Sequence, residues 1–157
     1  MSKRSAQHAT FVLERKFDAT PAQVFNAFAD PVAKAKWFSG PDEWEKGPRE
    51  FDFRVGGRET SSGGPKDGPK HKFEARYQDI VRNERIIYSY DMHLDDRRIS
   101  VSLTTIELKP EGKATRLVFT EQGVFLDGYD DAGSREHGSG WLLDKLGESL
   151  KRERAKA

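Results

Sequence analysis

Four successive segments, Lys72 to Ile80, Arg85 to Met92, Arg97 to Leu108 and Thr115 to Gly123, carry strand patterns with no room for a helix between them. The breaks fall at Arg82 to Glu84, Leu94 to Asp96 and Pro110 to Lys113. Connections this short suit antiparallel hairpins, whereas parallel neighbours need a crossover of a dozen or more residues. The pattern therefore predicts a meander. A long helical pattern follows from Ser134, a candidate cap with Glu136 and His137 in the first turn, and carries Leu142, Leu143, Leu146 and Leu150. Those leucines need an apolar surface, and the sheet supplies it.

The first third of the chain reads differently. Phe11, Leu13, Arg15 and Phe17 alternate with Val12, Glu14 and Lys16, the period of a half-buried strand. Thr20 and Pro21 then form a cap and first helical residue, with Val24, Phe25, Ala27 and Phe28 close to one helical face. Asp30 and Pro31 stop that helix and start a second short one through Trp37. Phe51 to Val55 reads as a strand closed by Gly56 and Gly57, and Glu59 to Lys70 as a flexible turn region. The two short helices resemble a helix-turn-helix in outline only, because no basic recognition helix follows.

Composition narrows the function classes. The 157 residues are expected to form one domain over residues 11–154, preceded by a flexible segment over residues 1–10. Lys and Arg number 27 against 26 Asp and Glu, so no global field draws in nucleic acid or an anionic membrane. Cysteine is absent, which removes disulfides, thiol catalysis and thiolate metal sites. No segment approaches the roughly 20 apolar residues of a membrane span. The expectation is a soluble, cytoplasmic protein with no nucleic-acid partner, monomeric or homodimeric. His8, His71, His93 and His137 lack metal-site spacing, and no glycine-rich turn opens a helix after a strand, so neither a metal nor a nucleotide cofactor is expected.

In order along the chain stand Thr20 to Phe25, Trp37 to Pro41, Phe51 to Gly57, Tyr77 to Ile80 followed by Glu84 to Ile86, Thr115 to Leu117 leading into Thr120 to Gly123, and Gly140 to Leu142. This set resembles the bacterial homologues of the activator of the heat-shock-protein-ninety ATPase, within the START-like superfamily, also called SRPBCC. The resemblance implies an α+β helix-grip fold: a curved antiparallel sheet of about six to seven strands wrapped around a long C-terminal helix, with two short helices after the first strand. It also implies a cavity between sheet and helix, since superfamily members bind lipids, steroids or other hydrophobic molecules, cyclise polyketides or bind chaperones. Some relatives carry a histidine in the last strand where Glu121 stands here, so chemistry attributed to that histidine does not transfer.

Set against that cavity, recurring aromatic residues become candidate lining: Trp37, Phe38, Phe53, Phe73, Tyr77, Tyr88, Tyr90, Phe119, Phe125 and Trp141. Rings offer a flat apolar ligand large contact area and tyrosine hydroxyls can orient its polar atoms, but a filled core has the same pattern. Arg54, Glu121 and His137 are the candidate polar groups. Glu121 shares a strand face with Leu117 and Phe119, so an inward carboxylate there needs a partner, with Arg54 or a tyrosine available. Asp52 and Arg54 lie opposite Phe51, Phe53 and Val55, so only one set can face inward. Asp127 to Gly133 reads as a flap over the cavity mouth, with Val124, Phe125 and Leu126 as its apolar contacts. The leading expectation is a small-molecule binding protein. The alternatives are a cyclase or hydratase using Glu121 with a tyrosine or His137, and an interaction module for a chaperone or other protein.

Overall fold

The computed structural model describes residues 4–156. Its elements run β1 (Ala6–Phe17), α1 (Pro21–Ala29), α2 (Pro31–Ala35), β2 (Glu45–Lys46), β3 (Glu50–Phe51), β4 (Arg58–Gly64), β5 (His71–Val81), β6 (Arg85–Leu94), β7 (Arg97–Glu111), β8 (Ala114–Leu126) and α3 (Ala132–Ala155). The strands form one antiparallel sheet in the order β1, β8, β7, β6, β5, β4, β2, with β3 also on β4. From β4 to β8 each strand pairs with the next, so the expected meander is present. β1 closes it by pairing with β8 along its whole length, Ala6 opposite Leu126 to Phe17 opposite Thr115. The whole is a helix-grip fold.

Local chemistry explains the short helices. The Thr20 hydroxyl accepts from the Gln23 backbone N–H while the Gln23 side chain accepts from the Thr20 N–H, a reciprocal cap ahead of Pro21. Asp30 caps α2 by accepting from Ala33 N–H at 2.8 Å. One face of the sheet is lined by alternate residues such as Phe73, Ala75 and Tyr77 on β5 and Leu117, Phe119 and Glu121 on β8. α3 lays Leu143, Leu146 and Leu150 against this interior.

Several boundaries differ from expectation. Residues 6–10, expected to be flexible, form the first part of β1; Met1 to Lys3 lie outside the described residues. Residues 6–10 are mostly exposed, so their backbone pairing with β8 gives no apolar alternation to read. α2 ends at Ala35 rather than Trp37. Phe51 to Val55 is not a strand beyond Phe51: the chain turns at Arg54, whose carbonyl accepts from Gly57 N–H at 2.8 Å, with Gly56 at φ 84°. Part of the expected turn region is β4, held between β5 and the short strands β2 and β3. Asp131, not Ser134, caps α3 and accepts from Ser134 N–H at 2.8 Å. β8 runs on through Val124, Phe125 and Leu126, past its expected end at Gly123.

Candidate functional site

A cavity of about 600 Å³ lies between the sheet and α3. Its walls come from α2 and the turn after it (Lys34, Trp37, Phe38), from β5 and β6 (Phe73, Tyr88, Tyr90, Met92), from β8 (Phe119, Glu121) and from α3 (Arg135, His137, Trp141, Leu142). Ring contacts fix much of this lining. Phe38 meets Phe73 edge-on with centroids 5.1 Å apart, and Phe73 lies 5.0 Å from Tyr90. Trp37 is held by its indole N–H, which donates to the Ala27 carbonyl at 3.0 Å. Aromatic pairs of this kind bring both contact area and preferred geometry.

The expected aromatic set divides in two. Trp37, Phe38, Phe73, Tyr88, Tyr90, Phe119 and Trp141 line the cavity, whereas Phe53, Tyr77 and Phe125 do not. Phe53 packs edge-on against Phe25 and Tyr77. Phe125 is buried with the Arg135 guanidinium 5.3 Å from its ring. Trp141 is 41% exposed at the mouth, with the Lys145 ammonium 4.7 Å from its ring centroid. Arg54 is a correction: it is exposed outside the cavity and bonded to Asp52 at 2.8 Å. Phe51 and Phe53 take the inward side, which sends Asp52 and Arg54 to solvent.

Glu121 obtains its partners elsewhere. The Tyr90 hydroxyl donates to it at 2.8 Å, the Thr104 hydroxyl at 3.3 Å, and Arg135 Nη1 stands 3.6 Å away. Arg135 in turn donates to Tyr90 Oη, to Ser100 Oγ and to Asp130. Burial raises the Glu121 carboxyl above its ordinary value, and the bonds from Tyr90 and the charge of Arg135 oppose that shift without cancelling it. Burial beside Glu121 also pushes the Tyr90 phenol up, so it stays protonated and donating. His137 lines the mouth and is exposed.

A second polar cluster was not foreseen. Lys34, only 4% exposed, donates to Glu59 at 2.6 Å and to Tyr77 Oη at 3.3 Å, and Tyr77 donates to the same carboxylate. The rings of Phe38 and Phe51 flank the ammonium at 4.3 and 5.4 Å. Burial lowers the Lys34 pKa, with Glu59 acting against it. Arg135 and Lys34 were both within reach of sequence reasoning. The leucine spacing of α3, carried two turns back from Leu143, arrives at Arg135, and Lys34 lies one turn before Trp37 and Phe38. Glu59 carried no such signal, because its strand was not apparent.

Residues 127–133 are partly tied down. Asp127 accepts from Ser5 N–H at 2.8 Å and pairs with Arg4, while Tyr129 and Asp130 line the cavity. Among the described residues no three His, Asp or Glu side chains converge as a metal site. No described helix is long and apolar enough to cross a membrane.

An antiparallel sheet gripping a C-terminal helix around an aromatic cavity defines a START-like, or SRPBCC, domain. Within that class, the chain belongs to the family of activator of Hsp90 ATPase homolog 1-like proteins, whose model matches residues 18–151. It is similar to a solved Rhizobium leguminosarum protein, with 48% identity and a TM-score of 0.90 over 95% of this chain and 98% of that one. A Rhizobium loti protein is 43% identical, with a TM-score of 0.86 over 92% and 99% of the two chains. A Chromobacterium violaceum protein is 31% identical, with a TM-score of 0.76 over 90% and 96%. No curated protein matches the sequence.

Proposed function

We propose that this protein binds a small hydrophobic or aromatic molecule in the cavity between the sheet and α3. The observation that carries the reading is the cavity itself, about 600 Å³ with Phe38, Phe73, Tyr88 and Phe119 on its walls. Small-molecule sites have volumes of roughly 300–1,000 Å³, mostly apolar walls and a few convergent polar groups. Tyr90, Glu121 and Arg135 provide such groups, held by their mutual bonds before any ligand arrives. A fixed polar cluster on an apolar wall orients a ligand without the entropy cost of ordering side chains on binding.

Proton transfer is the second reading, favoured by one observation: a cavity-lining carboxyl whose pKa burial has raised. Native mass spectrometry of the protein purified from its own host, followed by denaturing extraction, tests the first reading. A stoichiometric apolar molecule is the expected result. An empty protein, or one that retains another protein instead, overturns it. With the extracted molecule in hand, Glu121→Gln separates the two readings: a binder keeps its affinity, whereas an enzyme loses turnover.

A further inference from the structure

The cavity's cations fall into two groups. Inside, Lys34 is occupied by Glu59 and Tyr77, and Arg135 by Tyr90, Ser100 and Asp130. Both inner cations thus already have protein acceptors. At the mouth, the exposed lining residues include Lys46 and Arg49 together with His137, Gly138 and Trp141. Neither Lys46 nor Arg49 enters an ion pair among the described residues, and the carboxylates that line the cavity, Glu121 and Asp130, are both committed to Arg135.

A third cation adjoins the same mouth. Lys145, one turn after Trp141, lies 4.7 Å over its ring and donates toward the carbonyl of Ser39, a lining residue, at 3.3 Å. It too has no ion pair among the described residues; Asp42 and Glu148 are the carboxylates in its field, and Lys46 and Arg152 act against them. Burial lowers its pKa, and Asp42 acts against that shift more strongly than Lys46 adds to it.

From this distribution, and resting on the cavity reading above, we infer that the ligand is an amphipathic anion. Its apolar body lies among Phe38, Phe73, Tyr88 and Phe119, and its carboxylate, sulfonate or phosphate end meets Lys46, Lys145 and Arg49 at the mouth. The reverse orientation is disfavoured, since an anion driven inward would meet the Glu121 carboxyl and would compete with acceptors already bonded to Lys34 and Arg135. Cations at a rim also steer an anion to the opening, an effect that salt weakens.

Two fluorescent probes with one ring system test this. Anilinonaphthalenesulfonate carries an acidic group, and N-phenylnaphthylamine is the same aromatic body without it. Both are titrated into the full chain and into the Lys46→Gln/Lys145→Gln variant, at low and at physiological salt. The expected result is an affinity for the sulfonate about tenfold above that for the neutral amine at low salt, shrinking as salt is added. In the double variant that ratio falls severalfold. Equal affinities on the unaltered protein, or a preference that survives both substitutions and salt, overturn the inference while the cavity reading stands. Binding of neither probe overturns both. Circular dichroism shows that the variant is folded; if it is not, Lys46→Gln alone, at an exposed site, must still lower the ratio.

Discussion

Glu121 and Glu59 show how one residue type takes different roles in one interior. Glu59 faces a full ammonium at 2.6 Å and a phenol, so its charge is matched by Lys34. Glu121 has a phenol, a weaker hydroxyl contact and a guanidinium at 3.6 Å, and desolvation outweighs their help. Its carboxyl therefore holds a proton in the folded chain at pH values where the unfolded chain has released it. The window opens at the ordinary value of 4.5 and closes at the higher folded-state value. Because the folded state binds more protons there, the Glu121 contribution to stability is greatest below 4.5 and declines as pH rises through the window, by about 1.4 kcal/mol for each tenfold gain in proton affinity. Asp127 and Asp131, held below their ordinary values by backbone bonds, slope the other way, but they are shared with any Glu121 variant and cancel in the comparison. Urea unfolding of the wild-type protein and of Glu121→Gln across this range should show the stability difference shifting in favour of the Gln variant as pH rises, then levelling. Parallel curves would mean that Glu121 titrates alike in the folded and unfolded chains.

α3 carries a contrast at the scale of the element. A Cβ at Gly138 would meet nothing within 4 Å, whereas one at Gly147 would come 3.1 Å from the Phe17 ring. Interior helical glycine costs roughly 0.5–1 kcal/mol relative to alanine. Gly138→Ala should therefore raise unfolding stability by about that amount. Gly147→Ala should lower it, since overpacking costs typically about 1–3 kcal/mol and Phe17 is buried. Chemical denaturation of the two variants checks the opposite signs. The same elements show what the sequence made legible. Alternation in β5 to β8, with breaks too short for helices, specified the meander, and the leucines of α3 specified which face it covers. β4 was hidden because Ser61, Ser62, Gly63 and Gly64 read as turn chemistry. Their extended form depends on neighbours on both sides, with Gly64 so close to the Pro69 carbonyl that a Cβ would lie 2.2 Å from it. Glu59 disappeared with that strand. Arg54 went wrong for a related reason, because its inward or outward direction was set by Phe51 and Phe53 packing onto Tyr77. Composition does not encode which side of such a segment wins.

At the scale of the whole molecule, one core serves both packing and cavity, and only part of it is cavity wall. Leu146 and Leu150 of α3 pack in the core with Phe17 and Val24, none of them on the cavity wall, while the N-terminal half of the helix, with His137, Gly138 and Trp141, borders the cavity. Part of the hydrophobic burial that holds the chain together thus lies away from the cavity, while Trp37, Phe73, Tyr88 and Phe119 serve both as core and as cavity wall. Local opening is expected to begin at the mouth, where exposed residues of α3 and Lys46 of β2 border the cavity, because such regions have few buried apolar contacts. A ligand that bridges the two sides stabilises the native state by mass action, about 2.7 kcal/mol at a free concentration one hundred times its Kd. For a domain of this length, that corresponds to a rise in Tm of roughly 5–10 °C. Scanning calorimetry with saturating anilinonaphthalenesulfonate measures the rise, and hydrogen exchange locates it. Below global unfolding, slowing should be confined to residues 44–51 and to the first half of α3, with amides around Leu146 and Leu150 changing only as global stability does. Slowing spread evenly along α3 would instead make the helix and sheet one cooperative unit, with the cavity mouth no weaker than the core.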